Sequence, residues 1–154
     1  MKWIKLIVSL ALPQIAGIIG SLFTIKSIPA WYAALNKPAI NPPNWIFGPV
    51  WITLYVMMGI SFYLIWIKKD VPGFGFLFSV FIFQLILNAL WSIIFFGLKS
   101  PGFAFLEIIF LWLAILMCII FFYKVSKTAS LLLLPYLLWV SFASALNYFL
   151  WQMN

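Results

Sequence analysis

The stretch Trp31–Tyr55, WYAALNKPAINPPNWIFGPVWITLY, decides how the rest of the chain is read. It starts as a connector and ends inside a hydrophobic helix, and it carries three Trp, two Tyr and four Pro. Pro38, Pro42, Pro43 and Pro49 restrict φ, and they bias Lys37, Asn41 and Gly48 away from helical ψ. A connector of about twenty residues, 26–45, without secondary structure of its own is uncommon in a compact protein and usually functional when it occurs. Here it is stiff, and large apolar rings on a stiff connector have to be buried. The apolar surface available is that of the neighbouring segments, so 26–45 is expected to fold over them as a lid.

Those neighbours are almost all hydrocarbon. Of 154 residues, 67% are hydrophobic and 7% charged, with a mean hydropathy of +1.19. Water-soluble domains carry about a quarter charged residues, so this composition makes an integral membrane protein, read as a single domain over 1–154. Five segments, 6–25, 46–67, 76–96, 103–123 and 131–151, approach the ~20 apolar residues that cross a bilayer as a helix. The runs are continuous rather than short and alternating, which excludes a β-barrel. The expected fold is an all-α, five-transmembrane-helix bundle with a long structured loop between helices 1 and 2. Short connectors after the second span make helices 2 to 5 antiparallel to their sequence neighbours. Lys2 and Lys5 before an apolar run resemble a signal peptide, but the run continues past Gly20 with no cleavage-like site, so it reads as a retained first span.

The formal charge of +7 comes from nine Lys against Asp70 and Glu107, with no Arg. The lysines fall two at a time in short loops, which suits orientation and lipid headgroups rather than nucleic acid. Absence of Arg also argues against bidentate phosphate recognition. Lys2, Lys5, Lys68, Lys69, Lys124 and Lys127 lie on one side and Lys26, Lys37 and Lys99 on the other. This bias predicts a multi-pass protein of the cell membrane with a cytoplasmic N-terminus. There is no His and one cysteine, Cys118. Ser-His and Cys-His nucleophiles, imidazole ligation and an internal disulfide are therefore excluded, and no Gly-rich phosphate loop is present. No metal site and no resident cofactor are expected.

A polar group in hydrocarbon needs a partner. Gln84, Asn88 and Ser92 recur at i, i+4 and i+8 on the third span, with Trp91 and Phe95 beside them. Trp139, Ala143 and Asn147 repeat that spacing on the fifth, with Tyr136 one turn before, and Trp51, Tyr55 and Gly59 repeat it on the second. Such stripes either satisfy one another as interhelical hydrogen bonds or line a cavity with an apolar aromatic wall and a few directed polar groups. Nine Trp exceed what interfacial belts need, which favours the cavity. Glu107, the acid within a span, is expected to snorkel or to pair with Lys99, and is otherwise a functional candidate. Ala16-Gly17 and Gly20-Ser21 allow close helix packing, within the bundle or across a dimer. Pro13 should bend the first span, Pro49 should sit in the first turn of the second, and Pro135 marks a start or bend of the fifth.

The connector motif WYxxLxKPxxxPPxxxFxxVW, NALWSIIFFG at 88–97 and PYLLWVSFASALNYFLWQMN at 135–154 together resemble the TspO/MBR family, the tryptophan-rich sensory proteins and the mitochondrial translocator protein. The resemblance covers the chain with five spans in register. It implies a five-helix bundle, usually a homodimer, whose first connector folds over a pocket. It also implies binding of porphyrins (protoporphyrin IX, haem) and of isoquinoline-carboxamide or benzodiazepine-type ligands, with transport or sensing of tetrapyrroles ascribed to members. A second implied reading is an enzyme that degrades protoporphyrin IX in light through pocket tryptophans.

Carried over by position, Trp51 and Asn88 match a pair that hydrogen-bonds a ligand carbonyl. Trp51 and Trp139 match the tryptophans implicated in porphyrin breakdown. Tyr32 and Pro42 match connector residues that close on the ligand, and Ala143 and Asn147 match the pocket wall. Tyr55, Trp91 and Ser92 complete the expected ligand-binding set. Two departures stand out: Ala39-Ile40 where members commonly have a Trp, and Gln152 where the proposed sterol motif ends in a cation.

Overall fold

A computed structural model describes residues 1–68 and 70–154. Lys69, one of the lysines counted for orientation, lies outside the described residues. Helix α1, Lys2–Ser27, runs on into a wide π turn, Ile28–Tyr32. Helix α2 is Asn44–Trp66, and α3 is Phe74–Ser92, extended by a second π turn, Ile93–Gly97. Helix α4 is Pro101–Tyr123, α5 is the short Lys127–Leu131, and α6 is Leu134–Met153. Among the described residues there is no strand, and five helical segments are long and apolar enough to cross a membrane. The expected five-helix bundle is the fold.

The connector is shorter than 26–45. Helical backbone continues to residue 34 and resumes at Asn44, leaving 35–43 as a non-helical strap. Pro29, at the start of the first π turn, accounts for the extension. It lacks an N–H and its ring crowds the preceding turn, and a widened turn absorbs both without ending the helix. The same early start of α2 moves Pro49 out of the first turn and into the helix proper, where the carbonyl of Trp45 loses its helical donor. The fifth span is two pieces. Ser126 Oγ accepts from the Ala129 N–H at 3.3 Å to cap α5, and Pro135 sits in the first turn of α6, so it marks a start.

Small residues bring α1 against its neighbours. A Cβ on Gly59 of α2 would meet the Ser9 carbonyl oxygen at 2.8 Å, and Gly17 lies under the Tyr55 ring. A Cβ on Gly20 would stand 2.9 Å from Ser92 Oγ on α3. The glycines of α1 are therefore used inside the bundle, the packing role expected of such spacing.

The half of the bundle away from the strap is solid. Phe62 and Phe81 stack at 4.6 Å and 7° between α2 and α3, and Met58, Ile65, Ile115 and Phe122 close around them fully buried. Ser61 Oγ donates to the Ala129 carbonyl at 2.6 Å and ties α2 to α5. Lys68 Nζ, at the end of α2, donates to the Val125 carbonyl.

Candidate functional site

At the strap end the helices splay around a cavity of about 630 Å³, within the size range of small-molecule sites. Its wall comes from α1, α2, the α3 end with its π turn, α4 and α6. Trp51 on α2, Trp91 on α3 and Trp139 on α6 all line the cavity. Tyr32, Tyr55, Asn88, Ser92, Ala143 and Asn147 line it too, whereas Pro42 lies in the strap outside the wall.

The polar stripes both pair with one another and border the cavity. Tyr55 Oη donates to Asn88 Oδ1 at 2.9 Å, Asn88 Nδ2 donates to Tyr136 Oη at 2.8 Å, and Tyr136 Oη donates to Gln84 Oε1 at 3.0 Å. This chain links α2, α3 and α6 at the cavity floor. A second pin sits on the opposite wall: Trp91 Nε1 donates to Asn147 Oδ1 at 2.9 Å, and Asn147 Nδ2 donates to the Pro101 carbonyl at 2.7 Å. Buried amides with both ends bonded fix side-chain orientation, so each ring is held flat to its wall instead of falling inward. Trp91 stacks on Phe95 at 5.1 Å, and Trp51 stacks on Tyr55 at 5.5 Å.

Trp139 differs. Its Nε1 is buried and has no hydrogen-bond partner among the described residues, although the ring is held edge-on against Phe47 at 6.0 Å. Unlike the Trp91 indole, that of Trp139 is therefore positioned by packing and not by a hydrogen bond. None of the lining residues carries a formal charge. Ser21 and Thr24 of α1 turn their hydroxyls onto their own helix, to the Ile18 carbonyl at 2.8 Å and the Gly20 carbonyl at 3.1 Å. The result is a ring-lined, uncharged space that suits an apolar molecule.

Reading the sequence did not find Gln14, Phe47 or the α1 wall, all of which line the cavity. Gln14 was legible in principle, as an amide inside the first span with Ser21 and Thr24 on the same helical face. Glu107 departs from expectation. Its side chain is 7% exposed and neither carboxyl oxygen has a partner among the described residues, so it neither snorkels nor pairs with Lys99. It borders a separate apolar hollow between α3 and α4 rather than the main cavity.

The strap is tied down at two points, although none of residues 35–43 lines the cavity. The Asn36 N–H donates to Asn154 Oδ1 at 2.9 Å, and Asn154 Nδ2 donates back to the Asn36 carbonyl at 2.9 Å. Tyr32 Oη donates to Asn41 Oδ1 at 2.9 Å, with Lys37 Nζ over the Tyr32 ring at 4.7 Å. These contacts join the strap to the C-terminal end of α6 and to the last turn of the first span.

A sequence profile of the TspO/MBR family matches residues 9–152. The chain is similar to the tryptophan-rich protein TspO of Archaeoglobus fulgidus, at 45% identity over all of this chain and 99% of that one. It is similar to the translocator protein of Homo sapiens, at 37% identity over 92% of this chain and 85% of the other. The tryptophan-rich sensory protein of Cereibacter sphaeroides is 32% identical over 80% and 77% of the two chains. With five apolar spans, three indoles around one hollow and likeness along nearly its full length, this multi-pass membrane protein belongs to the TspO/MBR family.

Proposed function

We propose that the protein is a membrane receptor for porphyrin-type molecules, protoporphyrin IX or haem, and for isoquinoline-carboxamide or benzodiazepine-type ligands, held in the ring-lined cavity beneath the strap. The observation that carries this reading is the cavity wall itself: Trp51, Trp91 and Trp139 bordering one uncharged space. Translocation or sensing, which the relatives' names suggest, would follow from loading and emptying that space. Binding needs no cofactor and no metal, since stacking and directed hydrogen bonds hold the ligand. The proposed orientation keeps the lysine-rich N-terminal side in the cytoplasm. The proposed homodimer uses a face other than the α1 glycines, which are occupied inside the bundle.

A second reading, light- and oxygen-dependent degradation of bound protoporphyrin IX with dioxygen as the oxidant, is favoured by one contact. Trp51 stacks on Tyr55, whose hydroxyl continues into the Asn88–Tyr136–Gln84 chain. An oxidised indole there has a hydrogen-bonded phenol beside it as the next electron donor. Titrating the purified protein with protoporphyrin IX in dark and light arms separates the two. A shifted, stable Soret band in both arms supports a receptor. A band that decays in light, and does so no longer in Trp51→Phe or Trp139→Phe, supports the enzyme. Unquenched tryptophan fluorescence and an unshifted band eliminate both.

A further inference from the structure

We infer that the cavity exchanges its ligand sideways with the hydrocarbon of the bilayer, through a gap between α1 and α2, while the strap remains closed. The inference rests on the receptor reading above and adds the route and the source of the ligand: a molecule already dissolved in the membrane.

The tight contacts between the two helices run from the end away from the strap as far as the cavity, where Gly17 meets Tyr55. Gly59 admits the backbone of Ser9 and Leu10, Gly17 admits the Tyr55 ring, and Lys5 Nζ donates to the Trp66 carbonyl at 3.0 Å. Strapwards of Gly17 and Tyr55, the residues that face across from α1 to α2 are cavity residues: Ile18 and Ile25 on one helix, Ile52 and Trp45 on the other. Each is also open to the outside, at 60%, 68%, 59% and 73% exposure. A side chain that borders the cavity and is more than half exposed stands on the rim of an opening, not within a wall. The rim is apolar on both sides, and the polar groups of α1 behind it, Ser21 and Thr24, are turned onto their own backbone. Ile18 and Ile52, exposed within the apolar spans, meet acyl chains and not water, while Ile25 and Trp45 stand at the strapward ends of the same spans.

The water-facing route is the more obstructed one. Leaving by that end requires breaking the reciprocal Asn36–Asn154 pair and the Tyr32–Asn41 bond. It also requires moving a segment stiffened by Pro38, Pro42 and Pro43. The side gap needs no bond broken. Gln14 stands at its deep end, half-buried, lining the cavity, with no hydrogen bond to the described protein, so it is the first amide an arriving ligand meets.

The test staples each route separately. Full-length protein carrying Asn36→Cys and Asn154→Cys, in lipid nanodiscs, is loaded with protoporphyrin IX supplied in donor vesicles, and tryptophan quenching is followed by stopped flow. Oxidising the staple should leave the association and dissociation rates equal to those of the same protein reduced. Ile18→Trp with Ile52→Trp should slow both rates about tenfold, as obstruction of a gate does. Rates that collapse on oxidation, and recover on reduction, overturn the side route and leave the receptor reading standing. Rates unaffected by the paired tryptophans also overturn it. Porphyrin that fails to quench the unmodified protein at all overturns the receptor reading, and the route with it.

Discussion

The two halves of this bundle are built from the same apolar and aromatic residues, yet one is solid and the other hollow. Away from the strap, Phe62, Phe74, Phe78 and Phe81 pack onto one another and Phe122 joins at 6.2 Å. Phenylalanine carries no polar atom, so nothing opposes collapse of these rings to interior density. At the strap end Phe47, Phe95 and Phe96 share the wall with indoles and phenols, two of which are tied by their polar atoms, Trp91 to Asn147 and Tyr55 to Asn88. The difference teaches that the hollow is held open by directional hydrogen bonds and not by a shortage of side-chain volume.

The largest expected effect lies in the solid half. Phe81→Ala removes a fully buried ring stacked at 4.6 Å on Phe62 and should cost about 3–5 kcal/mol of stability. Thermal unfolding in detergent checks it, and Trp51→Phe in the hollow half should shift the same transition far less. Near-equal losses would erase the contrast between the halves.

An intermediate effect tests the pins. Asn147→Leu leaves Trp91 Nε1 and the Pro101 carbonyl without their partner, at about 1–3 kcal/mol. The freed ring should also encroach on the cavity, so porphyrin affinity is expected to fall while Gln84→Leu, farther from the wall, affects it less. Unchanged affinity in Asn147→Leu would show that volume alone keeps the space open.

The smallest effect has the opposite sign. Glu107 is a buried carboxyl with no partner among the described residues, so Glu107→Leu should stabilise the protein by about 1 kcal/mol, the gain from removing an uncompensated polar group. A lower melting temperature in that variant would mean the acid is held by a contact outside this chain.

Much of this was legible residue by residue. Helical spacing alone put Trp51, Asn88, Trp139, Ala143 and Asn147 on facing stripes, because a polar or indole group repeated every fourth residue in hydrocarbon has to meet something. Gln14 escaped because its span was read as packing surface. The strap was drawn too long because the first span was ended at residue 25, ahead of Lys26, and only the widened turn of the folded chain shows the helix running on through Pro29. Glu107 was expected to snorkel or to pair with Lys99, but burial decides such cases, and Glu107 is turned inward.

What the sequence determined on its own is the solvent and the architecture. So few charges and five long apolar runs require a membrane, and an isolated chain in hydrocarbon satisfies its backbone there as helices. What the tertiary structure alone decided is where those helices part company. Glycines at positions 17 and 59 draw α1 and α2 together at one end, and the bonded amides hold rings apart at the other. Periodicity specifies the face of a helix, but the separation of two faces depends on contacts between residues distant in the chain, and no local pattern encodes it.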